Sequence, residues 1–321
     1  MKDELGDRIK EYENVSNIKL MRKSYTILRL DGKAFHSYTK GLDKPFDMGF
    51  IDDMDETAKY LCQNIQGAKF GYVQSDEITI LLTDFDNINT NAWFDNKVQK
   101  MCSVSASMAT AKFNQLRLVR YFSGDDLMNI SKGRNDKGIG EHFEDGTDLE
   151  LVRDDISSFI NYLPLNWKIP MFDSRVFQVP NKMEVMNTLI WRQQDTTKNS
   201  ISSAAQTMFS HKELHGKSGD EKQEMMFQKG VNWNDYDPKF KRGRMIVKET
   251  YEKEPEVFRT RWVSIAPPIF TQDREYLNGL IPSRDVRLME PIKWIPDDLT
   301  DEKINDMIES LKKQIIHYSN L

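Results

Sequence analysis

The chain has 321 residues, with 45 basic and 50 acidic side chains and a formal charge of −5. Its 17 Phe, 11 Tyr and 6 Trp exclude a wholly disordered chain, which lacks the apolar surface to offset backbone ordering. No run of about 18 apolar residues spans a bilayer, and Cys62 and Cys102 alone exclude a disulfide framework or a four-cysteine zinc site. The polar stretch from Met1 to Arg8 does not make a signal-peptide core, and the mild negative charge excludes bulk-charge binding of nucleic acid. The expectation is a cytoplasmic, globular protein that meets any polyanion through local basic clusters or metal ions.

In chain order, residues 24–31 (SYTILRLD) read as a buried strand ending at Asp31-Gly32. Phe50, Met54, Ala58, Leu61, Cys62 and Ile65 recur at helical spacing over 47–66, with Gly67 as the stop. Two short strands, Phe70–Val73 and Ile78–Leu82, flank the polar string Gln74-Ser75-Asp76-Glu77, a hairpin with an acidic tip. A second helix spans 92–113, and a strand is expected at Arg175–Val179. This order is a split β-α-β pattern. It implies an α+β, ferredoxin-like fold: a four-stranded antiparallel sheet with helices on one face. Residues 131–146 read as a loop within an insertion around 114–170. Asn181 and Glu184 open a helix, a second helical pattern follows at Ile201–Met208, and 211–230 read as polar and mobile. The chain then turns basic at Lys239, Lys241, Arg242, Arg244 and Lys248, and an amphipathic helix is expected from Thr300.

Most catalytic motifs are missing. In HKELH (211–215), Lys212 stands where a zinc protease needs Glu, and neither GxGxxG nor GxSxG occurs. The acidic pair Asp31 and Asp76 remains. In the split β-α-β fold the first strand neighbours the central hairpin, so the two carboxylates converge. Such a pair can bridge two Mg²⁺ ions, and Gly32 lets the backbone approach a metal or phosphate closely. The competing reading makes Asp31-Gly32 a turn and Ser75-Asp76-Glu77 a solvated tip. Lys44, Lys97 and Lys100 are the basic groups that could meet a triphosphate.

The strings RLDGKAFHSYTK (29–40), KPFD (44–47), YVQSDE (72–77), FDSRV (172–176) and WRQQD (191–195) resemble the tRNA(His) guanylyltransferase family, and within it the Thg1-like branch of 3′–5′ RNA polymerases. The resemblance covers roughly residues 1–250. It implies a polymerase palm-like catalytic domain there, with 251–321 as a C-terminal extension. It also implies two Mg²⁺ held by Asp31, the Gly32 carbonyl and Asp76, with Glu77 as a further catalytic acid. The nucleotide would be held by Asp31, Gly32, Lys33, Ala34, Phe35, His36, Ser75 and Asp76, with Lys44, Lys97 and Lys100 on its phosphates. The implied reaction is ATP-dependent adenylylation of an RNA 5′-monophosphate, then attack on it by the 3′-hydroxyl of GTP or another NTP. The implied partners are tRNA and nucleoside triphosphates, and the implied assembly is a homotetramer.

One departure bears on the substrate. Eukaryotic members follow WRQxD with a histidine- and asparagine-rich string, whereas this chain has Thr196-Thr197-Lys198-Asn199-Ser200-Ile201. That favours templated repair of tRNA 5′ ends over strict tRNA(His) guanylylation. Arg192, Asp195, Asn199, Lys241 and Arg242 are the candidate RNA contacts. Against this, Trp191 could be core, Arg192–Asp195 a helix-surface pair, and the run 239–248 the flanks of a hairpin around Gly243. The rival functions are a strict tRNA(His) guanylyltransferase, a palm-fold cyclase or polymerase on another substrate, and a non-catalytic RNA-binding protein.

Overall fold

The computed structural model describes residues 3–123 and 169–284. The expected 131–146 loop and the helix from Thr300 lie outside the described residues. Residues 3–84, 91–123 and 169–283 belong to one unit, and 85–90 with Arg284 to a second.

Six strands form one antiparallel sheet: β1 (Tyr25–Gly32), β2 (Ala68–Gln74), β3 (Glu77–Leu82), β4 (Phe172–Val179), β5 (Arg244–Glu254) and β6 (Val257–Ile265), in the order β4-β1-β3-β2-β5-β6. The first four are the strands read from the sequence. β5 and β6 carry the sheet two strands further, and their hairpin turns at 254–257 rather than at Gly243. These two were illegible because the outer half of β5 is a run of exposed, mostly charged residues and that of β6 is exposed on both faces, which leaves no apolar period.

Around the sheet run α1 (Glu4–Asn14), the single turn α2 (Phe35–Tyr38), α3 (Met48–Asn64), α4 (Val98–Ser123), α5 (Lys182–Gln206), α6 (His211–Leu214), α7 (Gly219–Gln228), α8 (Pro238–Arg242) and α9 (Arg274–Leu280). Asp47 caps α3 by accepting the Phe50 N–H at 2.6 Å, and the apolar stripe Phe50, Met54, Ala58 and Leu61 then faces the sheet. Alternation along the strands sends Leu28, Leu30, Val73, Ile78 and Ile80 into the core with α3 and α4. Buried Asp53 ties these two helices together, accepting from Arg117 at 3.0 Å and from Arg120 at 3.0–3.2 Å. Such a buried carboxylate is tolerable because two guanidinium groups satisfy it.

The expectation of helices on one face is incomplete. α5 crosses the opposite face, where Tyr72, Gln74 and Glu77 meet Arg192 and Thr196. α5 is also one continuous helix, not two, capped by the Asn181 side chain on the Glu184 N–H. The 211–230 stretch is ordered rather than mobile: Ser210/Glu213 and Ser218/Glu221 form capping boxes on α6 and α7. Its apolar residues Leu214 and Met226 join Ile201, Ala204 and Ala205 of α5 in a second core.

Candidate active site

The acidic residues gather at one end of the sheet. β1 ends at Asp31-Gly32, and Asp31 is the direct antiparallel partner of Glu77 on β3. Ser75 and Asp76 form the tight turn between β2 and β3, with Ser75 at φ +44°. The Gly32 N–H donates to the Asp76 carbonyl at 3.2 Å, fastening the end of β1 to the turn. Gly32 cannot carry a side chain, because an added Cβ would lie 2.4 Å from the Phe35 ring. Phe35 stacks in turn among Tyr38, Phe50, Phe113 and Phe172, with centroids 5.0–6.1 Å away, so an aromatic cluster supports the site from beneath.

The electrostatics are those of crowded like charges. Burial pushes the Asp76 carboxyl above the usual range, and the negative charge of Asp31 adds to the shift; the N–H of Asp76 itself and the Ser75 hydroxyl oppose it. Among the described residues neither Asp31 nor Asp76 forms an ion pair. Burial likewise raises Glu77, opposed by Arg192 and Arg29. Arg192 Nε lies 2.9 Å from Glu77 Oε1, but its N–H points off that line. The contact is therefore an ion pair without a hydrogen bond at Nε. Arg192 Nη2 bonds Asp195 at 2.8 Å, and its guanidinium lies 4.3 Å from the centre of the Trp191 ring. Arg192 is buried, whereas Trp191 is 53% exposed, so the reading of Trp191 as core is incorrect.

Beside the acidic turn lies a cavity of about 220 Å³. Lys44, Phe46, Phe50 and Phe240 line it together with Gln74, Ser75, Thr196, Asn199 and Arg244. The Thr196 hydroxyl sits against Gln74 Oε1, Tyr72 Oη and the Arg192 carbonyl, joining α5 to the hairpin.

The structure thus brings together Asp31, Gly32, Asp76 and Glu77, with Lys44, Ser75 and Asn199 along the adjoining cavity. Lys33 and His36 are exposed just beyond β1, Ala34 starts α2, and Phe35 is interior support rather than a surface group. Lys97 and Lys100 are not brought to this end within one chain. Lys100 lies ten residues before Thr110, roughly 15 Å along α4, and it is the Thr110 hydroxyl that accepts the N–H of Phe172, the residue paired with Gly32. Lys241 is turned inward: Nζ donates to the Asn234 carbonyl at 2.5 Å over the Trp233 ring, and burial lowers its pKa. It is unavailable to an RNA phosphate, which corrects that expectation. Arg242 is half-buried, and its carbonyl accepts from Tyr72.

The residue reading missed Arg29 and Arg244. Both were visible in strand alternation, Arg29 on the face of Asp31 and Arg244 on the face of Ile246.

A twisted antiparallel sheet with helices packed on it and an acidic turn at its end has the layout of a polymerase palm. The family model described as tRNAHis guanylyltransferase (Thg1) matches residues 6–180. A bacterial tRNA(His) guanylyltransferase (Thg1)-like protein solved with ATP superposes with TM-score 0.66 and 41% identity over 87% of this chain and 99% of that one. The corresponding GTP complex gives 0.65 and 39% over the same shares. An uncharacterized protein, R259, of Acanthamoeba polyphaga mimivirus is 30% identical over 215 residues, which cover 64% of this chain and 63% of that protein. The chain belongs to the tRNAHis guanylyltransferase (Thg1) family, a family of transferases. Among the described residues no helix is long and apolar enough to cross a membrane.

Proposed function

We propose that this chain is a Mg²⁺-dependent nucleotidyltransferase that adds nucleotides in the 3′–5′ direction to the 5′ end of tRNA, with repair of shortened 5′ ends as its task. The observation that carries this reading is the pair Asp31 and Asp76, held at a sheet end with no cationic partner among the described residues, beside a cavity of nucleobase scale.

The donor set fits a hard divalent cation. Two carboxylates and the Gly32 carbonyl offer only oxygen, and the repulsion between Asp31 and Asp76 is what a cation relieves. Among the described residues no group of three or more His, Cys, Asp or Glu is arranged around a metal. Two carboxylates are therefore the acidic complement, with phosphate and water completing a shell of the kind Mg²⁺ prefers. When bound, Mg²⁺ supplies charge neutralisation on the phosphates and activation of the attacking oxygen.

The chain's own residues supply position. The fastened ends of β1 and the β2–β3 turn hold the two carboxylates in a fixed relation, which favours in-line phosphoryl transfer. Lys44 stands at the cavity rim for a phosphate, and the cavity itself takes the base. Arg192 holds the carboxylate of Glu77 from the opposite face, making Glu77 a positioning residue for the turn.

Two transfers complete the reaction. In the first, an oxygen of the RNA 5′-monophosphate displaces pyrophosphate from ATP. In the second, the 3′-hydroxyl of the incoming NTP displaces AMP from the activated RNA. The same reading places the protein in the cytoplasm as a homotetramer.

The test is incubation with α-labelled ATP and a 5′-monophosphorylated, 5′-truncated tRNA. An adenylylated RNA, chased to a longer product by unlabelled NTP, is expected from the wild type and not from Asp31→Asn. An RNA extended only at its 3′ end overturns the proposal.

A further inference from the structure

The β5–β6 hairpin parts from β2 just beyond Ile246, which pairs with Gly71. There Lys248 pairs with Trp262, and directly paired residues share a face. It is the face on which Ser264 reaches Asp55 of α3, so Lys248 and Trp262 overhang the outer half of that helix. Burial raises the thiol of Cys62 on α3, and the charge of Lys248 opposes the rise, which sets that charge close above the helix.

Between the hairpin and the helices lies a groove of about 560 Å³, with Glu56, Lys59 and Tyr60 of α3, Lys112 of α4, and Lys248 and Trp262 in its lining. Its cations differ in what they face. Lys59 Nζ is 2.7 Å from the Glu56 carboxylate, and Arg261, on the other face of the hairpin, is held by Glu249 at 2.7 Å. Among the described residues Lys112 and Lys248 pair with no carboxylate. Each lies instead over a ring, Lys112 Nζ 5.8 Å from the centre of Tyr60 and Lys248 Nζ 5.2 Å from that of Trp262.

Cations interleaved with aromatic faces in a groove suit single-stranded nucleic acid, whose phosphates meet the charges while unpaired bases stack on the rings. A duplex suits them less, because its bases are already stacked on one another. The groove is also within reach of the acidic turn. Phe50 and Arg244 line the cavity there, and from them to Tyr60 and Lys248 is about 15 Å along α3 and about 13 Å along β5.

We propose that this groove holds the unpaired 3′ strand of the RNA substrate. The proposal rests on reading that substrate as a tRNA with a shortened 5′ end, since loss of 5′ nucleotides leaves their former partners single-stranded. Lys112 and Lys248 take phosphates of that strand, and Trp262 and Tyr60 take its bases. The contact lies away from the reacting atoms, so these four are positioning residues that hold the strand beside the end being extended.

The experiment measures binding of a 5′-monophosphorylated acceptor-stem hairpin to the full chain with Mg²⁺, by fluorescence anisotropy over a range of salt. One RNA is blunt, and the other carries a 3′ overhang of about eight nucleotides. The wild type is expected to bind the overhang RNA about 10-fold or more tighter than the blunt one. Trp262→Leu removes a stacking face and no charge, so it should lose most of that gain at an unchanged salt slope. Lys112→Ala combined with Lys248→Ala should lose the gain and lower the salt slope by about 1.4, the share of two phosphates on a single strand. In nucleotide addition the double variant should raise KM for the overhang RNA and leave kcat unchanged. No gain from the overhang in the wild type, or a gain that survives in the double variant, overturns the groove assignment; adenylylation of either RNA still upholds the proposed function. A gain in a wild type that never adenylylates RNA overturns the proposed function and leaves the groove standing. Should Trp262→Leu fail to fold, the lysine variant decides the matter alone.

Discussion

Replacing Arg192 with methionine removes the cation from a nearly dry ion pair while keeping the length of the side chain. The side chains of Arg192 and Glu77 are 8% and 13% exposed, so Glu77 would be left as a buried charge. Such an orphaned partner costs about 3–5 kcal/mol. Arg29 also attracts Glu77, which argues for the lower end, about 3 kcal/mol. The reciprocal change, Glu77→Gln, leaves Arg192 its 2.8 Å bond to Asp195 and should cost about 1.5 kcal/mol. The double variant removes both charges and should cost about 2 kcal/mol, giving a coupling of about 2.5 kcal/mol. Urea unfolding of the four proteins at pH 7, compared at equal m, measures this cycle. Repeating it near pH 5 adds a check. Protonation of Glu77 relieves the buried charge, so the cost of Arg192→Met should shrink as pH falls. A double variant whose cost equals the sum of the single ones would show that the two side chains do not sense each other and would refute the reasoning.

Three further outcomes are expected. Burial and Asp31 hold the folded Asp76 carboxyl above its unfolded value, so the folded state binds the extra proton and stability declines as pH rises through that interval. Asp76→Asn in metal-free buffer should therefore melt above the wild type at pH 7, with the gap closing on acidification, while nucleotide addition is lost; a lower melting temperature at pH 7 would contradict this. Gly243→Ala should cost about 2 kcal/mol in chemical denaturation, since Gly243 has φ +75° and an added Cβ would lie 2.6 Å from Tyr72 Oη. Phe35→Ala should cost about 3–5 kcal/mol by the same measurement and slow nucleotide addition, because Phe35 backs Gly32; a change below 1 kcal/mol would refute its place in the core.

The parts of this fold legible in the sequence were those where burial imposes a period. TILRL and ITILL read as short, nearly continuous apolar runs because both faces of the central strands are covered, and the α3 stripe repeats every turn because it lies on the sheet. The acidic turn was legible for a related reason, since polar residues between two buried strands have only the sheet end to occupy. β5 and β6 were not legible, because beyond Val247 β5 is largely exposed and charged, and β6 is exposed throughout Val257–Arg261. Lys241 was misjudged because a basic run gives no sign of which member turns inward. Only the Trp233 ring and the Asn234 carbonyl, brought near by the preceding turn, decide it.

The pairing of Leu28 with Ile80 and Leu30 with Ile78 has a bearing on how the chemistry tolerates mutation. Sliding β1 by a single residue would thrust Arg29 and Asp31 into the greasy side of the sheet, a penalty no partner there could offset. The alignment of the acids is thus guarded by hydrocarbon several residues away. Enlarging or shrinking Ile78 or Ile80 would blur the reactive end without touching it.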